Sequence, residues 1–303
     1  LNCPIFLSIS MFEATVEQSD LWKRILEPIK EVVNEANFEC SPGGIQLQAM
    51  DASHVSLVSL LLRPDGFRHF NCSRNFNIGI NFTNMVKVLK CANKEDSVTM
   101  RFEEGHDSVT FLVESEGQEK VSEFSMRLMD IEGESLSIPE QSYSAMLSMP
   151  SSEFTKLCRD MATFGDSVTI SVTKDFVKFS TKGDFGQGST TVKPSLAADI
   201  KEIKTEVVKT EPGMTQDDKS MVVDKDKEES AADKAAIALV CHEDVTLNFA
   251  LKNLVTFTKG SPLSERVTLR LAMNEPVQVE YKIDGFGYMR FYLAPKVDET
   301  NDS

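Results

Sequence analysis

Long apolar runs are missing from this 303-residue chain. None approaches the roughly 18–20 residues that a membrane-spanning helix needs. Residues 1–10 lack the basic start of an export signal, so neither a membrane partner nor secretion is expected. The six cysteines (Cys3, Cys40, Cys72, Cys91, Cys158 and Cys241) include no CxxC pair, which points to reduced thiols in a reducing compartment. The four histidines, His54, His69, His106 and His242, show no HExxH or other ligand spacing, so no metal is expected. GxxxxGK(S/T) phosphate loops and GxSxG elbows are absent as well. A hydrolase would have to use Asp130 and Asp160, and no nucleophile or metal set accompanies them. The expectation is a protein without catalytic residues and without a cofactor.

What the chain has in excess is negative charge, with 47 Asp and Glu against 32 Lys and Arg, a formal −15 at pH 7. A hydrophobic content of 41% over this length is enough for two cores, so global disorder is excluded. Residues 194–236 break the globular texture: they hold seven Lys, eleven Asp or Glu, the prolines Pro194 and Pro212, and no aromatic residue. Such a stretch buries too little to offset its ordering entropy and reads as a disordered insertion in a loop. Residues 297–303 read as an acidic tail, and residues 1–10, ahead of Met11, as an upstream extension or an artefact.

With the insertion set aside, the second half restates the first. Ile80-Asn81-Phe82, a helical stretch through Met85, Val86 and Leu89, and then Val98 to Phe102 are echoed by Leu247-Asn248-Phe249, a stretch through Leu251, Leu254 and Phe257, and then Val267 to Leu271. The spacing in the two copies differs by two residues. Upstream, Ser19 to Leu26 matches Ser152 to Met161, each opening on a serine of capping type. Each half therefore has two helices. Between them run alternating segments such as Gly44 to Met50 and Ser167 to Val172, with turn signals at Ser41-Pro42-Gly43-Gly44 and Lys182-Gly183-Asp184. The fold class is α+β: two similar domains, 11–127 and 144–296, of antiparallel sheet with two helices each, joined by a connector at 128–143.

The helices run against the overall charge. They carry Lys23, Arg24, Lys30, Lys87, Lys90, Lys156, Arg159, Lys252 and Lys259 against Asp20, Glu27, Glu31, Glu153 and Asp160. Mixed solvated faces would account for one such helix; four biased the same way in an acidic chain carry the electrostatic footprint of phosphate binding. Most of these residues are Lys, a point charge suited to phosphate rather than to reading base edges, so the expected binding is independent of sequence and sensitive to salt. No aromatic ladder accompanies them, which argues against single-strand stacking.

Five segments resemble the proliferating cell nuclear antigen family, the eukaryotic sliding clamps of DNA replication. They are Met11-Phe12-Glu13-Ala14, Leu47 to Val58 (LQAMDASHVSLV), Gln118-Glu119-Lys120-Val121-Ser122, Ile138-Pro139-Glu140-Gln141 and Tyr292-Leu293-Ala294-Pro295-Lys296. The resemblance runs from Met11 to about Lys296 outside the insertion. It implies a homotrimeric ring with sheets outside and helices inside, acting in the nucleus as a processivity factor on double-stranded DNA. Twelve helices at ~8–10 Å spacing would leave an opening of roughly 20–28 Å, enough for a duplex. The basic helix residues would then face phosphates, joined by Lys120 and Arg127, which match further basic positions on the family's channel wall.

The same resemblance implies that Glu119 to Arg127, with Phe124, meets Phe185 to Val192, with Gly188, across the subunit junction; an internal hairpin pair is the other reading of those strands. It implies a pocket for a short peptide motif made by Met50, His54, Val55, Leu57, Leu136, Ile138, Pro139, Pro276, Tyr292, Ala294 and Pro295. The expected partners are a clamp loader, the replicative DNA polymerase, flap endonuclease, DNA ligase and other peptide-motif proteins. Lys174 resembles the family's ubiquitin acceptor, followed here by Asp175-Phe176. Within the insertion, Ile203-Lys204-Thr205-Glu206 and Val208-Lys209-Thr210-Glu211 have the pattern of SUMO acceptors at Lys204 and Lys209. Two alternatives remain at this point: a subunit of a heterotrimeric checkpoint clamp, and an acidic histone-chaperone-like interaction protein.

Overall fold

The computed structural model describes residues 11–117, 119–132, 142–195 and 236–296. The first repeat runs β1 (Met11–Val16), α1 (Ser19–Val32), β2 (Glu35–Ser41), β3 (Gly44–Met50), β4 (Ser56–Leu62), β5 (His69–Cys72), β6 (Phe76–Asn81), α2 (Phe82–Leu89), β7 (Ser97–Glu103), β8 (Ser108–Glu114) and β9 (Val121–Arg127). The second runs β10 (Ala145–Pro150), α3 (Ser151–Phe164), β11 (Ser167–Val172), β12 (Val177–Gly183), β13 (Gly186–Val192), β14 (Ala238–Cys241), β15 (Val245–Ala250), α4 (Leu251–Phe257), β16 (Arg266–Leu271), β17 (Val277–Ile283) and β18 (Gly287–Leu293). The order of strands and helices is identical in the two.

Strand neighbours repeat as well. The order β5-β1-β7-β8-β9 recurs as β14-β10-β16-β17-β18, and β6-β2-β3-β4 recurs as β15-β11-β12-β13. Two compact units emerge: one holds the described residues through 132 with 262–264 and 280–292, the other holds the rest. The chain passes from the second unit into the first inside β17. Within the first unit β18 lies beside β4, and the Arg63 N–H donates to the Phe286 carbonyl at 2.7 Å.

Burial follows the expected periods. In β11, Val168, Ile170 and Val172 are buried while Ser167, Thr169 and Ser171 are not. Helix α1 buries Trp22, Ile25, Leu26 and Ile29 at intervals of three and four, and α3 buries Phe154, Leu157, Cys158 and Met161. Each helix thus gives one stripe to the core and leaves its charged residues on the other face.

Two local expectations are corrected. The matched serines do not cap their helices: Gln18 and Pro150 hold the N-cap positions without a side-chain bond, and the Ser19 hydroxyl donates instead to the Asn93 carbonyl at 2.6 Å. The Asn-Phe marks are not equivalent either. Asn81 caps α2 by accepting the Asn84 N–H at 3.0 Å, whereas Asn248 lies inside β15 opposite Thr169. Shifting the second copy by two residues pairs Phe82 with Leu251, both first in their helices, and removes the spacing mismatch.

The insertion leaves and re-enters the fold at a closed stem. The Ser195 N–H donates to the Ile237 carbonyl at 2.9 Å, and Arg266 Nη2 donates to the Ala236 carbonyl at 2.9 Å and to the Ser148 carbonyl at 3.2 Å. Residues 196–235, including the proposed acceptors Lys204 and Lys209, lie outside the described residues, as do residues 1–10 and 297–303.

Candidate functional site

The basic residues named from the sequence fall into two groups. On α1 they are half-buried and engaged: Lys23 Nζ donates to the Ala92 carbonyl at 2.8 Å, Arg24 Nη1 donates to the Pro262 carbonyl at 3.0 Å and its Nε pairs with Asp20 at 3.0 Å, and Lys30 pairs with Glu27 at 2.8 Å. The others are exposed: Lys87 on α2 with Lys90 at its C-cap, Lys120 just ahead of β9, Arg127 at its end, Lys156 and Arg159 on α3, Lys252 on α4 and Lys259 in the 3₁₀ turn Thr258–Leu263. Lys87 meets the Asn84 side chain at 3.3 Å. Lys156 and Arg159 are three residues apart on α3, opposite the buried stripe of Phe154, Leu157 and Met161, so one stretch of helix offers two exposed cations.

Both strands expected at a subunit junction are sheet edges. β9 ends the order β5-β1-β7-β8-β9, and β13 ends the order β13-β12-β11-β15. Phe124 lies mid-strand opposite Phe111 of β8, and Gly188 lies opposite Thr181 of β12. Exposed apolar side chains sit at both edges: Val121 at the start of β9 is 58% exposed, and Phe185, next to β13, is 70% exposed. Phe185, expected as the first residue of the second interface strand, stands in the turn just ahead of β13, which begins at Gly186.

The residues expected to receive a partner peptide occupy several elements. Met50 ends β3 and Leu57 lies in β4, directly opposite it. Between them the loop carries His54 and Val55 outward, and Val55 is 39% exposed. Asp51 shapes this loop, which composition alone did not reveal. Its Oδ1 accepts the N–H groups of Val55 at 2.9 Å and Ser56 at 2.7 Å, and its Oδ2 accepts the Ser53 hydroxyl. Burial pushes the Asp51 carboxyl up, but the hydrogen bonds from Ser53, Ser56 and Val55 together outweigh it and hold the group below its ordinary value.

Tyr292, at the end of β18, is buried, with its hydroxyl pushed up chiefly by that burial. Pro276, Ala294 and Pro295 are half-buried, and the Lys296 N–H anchors the end of the strand to the Asn248 carbonyl at 2.7 Å. Leu136, Ile138 and Pro139 lie outside the described residues. The first part of the connector is fixed against β6 and β2: the Met129 N–H donates to the Gly79 carbonyl of β6 at 3.0 Å, and Asn37 Nδ2 of β2 donates to the Ile131 carbonyl at 3.0 Å. Gly79 is required there, because a Cβ would run into the Met129 carbonyl.

Lys174 is exposed in the turn between β11 and β12, where it lines an open hollow of about 530 Å³ with Thr173, Asp175, His242 and Asp244. Among the described residues no group of three or more His, Cys, Asp or Glu is placed to hold a metal. What the described residues offer is an array of exposed cations on helices, apolar side chains beside the edge strands β9 and β13, and an exposed apolar loop.

Comparison with family models accords with this arrangement. The model of the proliferating cell nuclear antigen N-terminal domain matches residues 11–136. The model of the C-terminal domain matches residues 137–216 and 213–296, two pieces that overlap inside the insertion.

Proposed function

The chain belongs to the proliferating cell nuclear antigen family, whose members are non-enzymatic DNA sliding clamps, and we propose that three copies of it close a ring around duplex DNA in the nucleus and tether replication and repair enzymes there. One observation carries the reading. Inside the chain the last strand of the second repeat, β18, lies beside β4, the fourth strand of the first. The repeat counterparts of those two strands are β9 and β13, and both are edges. Setting β9 of one copy against β13 of the next would reproduce the internal junction, and each copy would use each of these two edges once. This is strand addition between identical copies, the arrangement that closes rings.

With the helices lining the opening, Lys87, Lys90, Lys156, Arg159, Lys252 and Lys259 supply weak, exchangeable contacts to phosphate, aided by Lys120 and Arg127. Retention then comes from closure rather than from tight binding, which lets the ring slide. A separate loader opens it. The loop at His54 and Val55, with Met50, Leu57, Tyr292, Ala294, Pro295, Pro276 and the connector residues Leu136, Ile138 and Pro139, receives the aromatic and aliphatic plug of polymerase, flap endonuclease or ligase peptides, whose basic flanks suit Asp130 and Glu132. Lys174, exposed in its turn, is the acceptor for a ubiquitin-type modifier.

Light scattering across a dilution series, with retention on circular and on linear DNA after loading, tests this. A three-subunit mass held only on closed circles is expected. A stable monomer that never remains on circles would remove the ring.

A further inference from the structure

Between β3 and β4 the chain reads Asp51-Ala52-Ser53-His54-Val55-Ser56, and Ala52, Ser53 and His54 are all exposed. Burial of apolar side chains therefore does not shape the turn. Its backbone is closed by the Asp51 N–H donating to the Ser56 carbonyl at 2.8 Å and the His54 N–H donating to the Asp51 carbonyl at 2.9 Å. At its tip His54 takes a φ of 56°, a left-handed conformation that is uncommon for a non-glycine residue and that its surroundings must stabilise.

The Asp51 carboxylate is the group that does so. One oxygen receives two successive backbone N–H groups, from Val55 and Ser56, and the other receives the Ser53 hydroxyl. These are charge-assisted bonds, stronger than the neutral bonds of an ordinary turn. They tie the far side of the loop back to its origin, so Val55 stands out beside the facing pair Met50 and Leu57.

We infer that Asp51 is a positioning residue for partner docking: its carboxylate pre-forms the turn that presents His54 and Val55, so the peptide meets a loop that is already ordered. This rests on the docking role proposed above. Removing the carboxylate leaves two N–H groups and a left-handed His54 without their anchor, and the loop must then be ordered at the expense of binding.

The test uses the full chain and a short synthetic peptide carrying an aromatic and aliphatic plug with basic flanks, read by fluorescence anisotropy together with amide hydrogen exchange. Asp51→Ala is expected to weaken peptide binding about tenfold, a change of about 1.4 kcal/mol. Asp51→Asn, which keeps one carbonyl acceptor, should recover part of that loss. Exchange should accelerate at His54, Val55 and Ser56 while β3 and β4 keep wild-type rates. Wild-type affinity in Asp51→Ala with those amides still protected would overturn the inference, as would faster exchange spread over both strands. If Asp51→Ala fails to fold, Ser53→Ala removes one donor to the carboxylate and should show the same local signature at smaller size; an unchanged affinity and exchange profile in it would overturn the inference. If the wild-type chain itself ignores the peptide, the docking reading falls on its own, and an Asp51→Ala exchange profile identical to wild type would bring down the pre-formed turn as well.

Discussion

Phe185 lies against Phe164 with ring centroids 5.3 Å apart and planes 25° from parallel, while 70% of its own surface faces solvent. The ring stands in the turn between β12 and β13, and Gly188 of β13 lies close enough to Phe164 that an added Cβ would touch it at 3.4 Å. An exposed ring held flat beside an unpaired edge strand has one face prepared for a neighbour. Covering it at a junction between copies would contribute about 1.5–3 kcal/mol. Phe185→Ala should therefore raise the dissociation constant of the assembly roughly 10- to 150-fold per junction. Sedimentation of diluted samples reads this, and a wild-type profile would take Phe185 out of the interface.

The two groups of basic residues predict different consequences for substitution. Lys156→Ala with Arg159→Ala removes exposed cations, so unfolding by urea should be unchanged. Duplex affinity should fall, and the slope of log affinity against log salt should become shallower by about 0.9 for every phosphate that is no longer neutralised. Lys23→Ala instead removes the bond to the Ala92 carbonyl and should destabilise the fold by about 1 kcal/mol. Equal effects of both on stability would contradict the division.

Glu280 of β17 is 3% exposed and accepts a hydrogen bond from Arg290 of β18, whose guanidinium lies 3.7 Å from the centre of the Tyr288 ring. Burial works against the Arg290 charge, but Glu280 more than compensates, and its pKa is raised. Arg290→Met should lower stability by about 1.5–3 kcal/mol, because it removes a charge-assisted hydrogen bond to a buried carboxylate, and adding Glu280→Leu should restore part of the loss. Urea unfolding of the two variants checks this; a double variant as unstable as the single would mean that packing of Arg290 on Tyr288 matters more than the charge.

Burial pushes the Cys158 thiol up from 9.0 to about 12 and raises Cys40 well above its ordinary value. Both thiols are neutral in the fold and would ionise sooner in the unfolded chain, so their contribution to stability is complete below pH 9 and declines as pH rises toward 12. Resistance to urea should fall over that window. Iodoacetamide at pH 8 should modify the exposed Cys91 and spare Cys40 and Cys158 until urea unfolds the chain, as read by peptide mass. Early labelling of Cys158 would contradict its burial.

The duplicated architecture was legible because each element carries its own period: Val168, Ile170 and Val172 alternate, and Trp22, Ile25 and Ile29 recur at helical spacing. The exposed cations of α2, α3 and α4 were legible for the complementary reason, but those of α1 were not, since Lys23, Arg24 and Lys30 are half-buried and bonded within the chain. What could not be read was set by atoms distant in sequence. Ser19 has the composition of a cap, but its hydroxyl is claimed by Asn93, 74 residues away. Asn248 copies Asn81 in sequence and not in role, because the pairing of β15 with β11 fixes where α4 begins. Likewise Asp51 looks like any turn aspartate until the two backbone N–H groups on its Oδ1 are seen.

At the base of the insertion, Ser195 meets Ile237 and Arg266 holds the Ala236 carbonyl. With the two ends fixed side by side, the fold is indifferent to how much chain passes between them, since closure entropy grows only logarithmically and doubling the span costs about 0.6 kcal/mol. The stem is thus a grafting port: a short turn, a longer acidic stretch or a whole foreign domain could be carried there without changing how the rest of the fold is built.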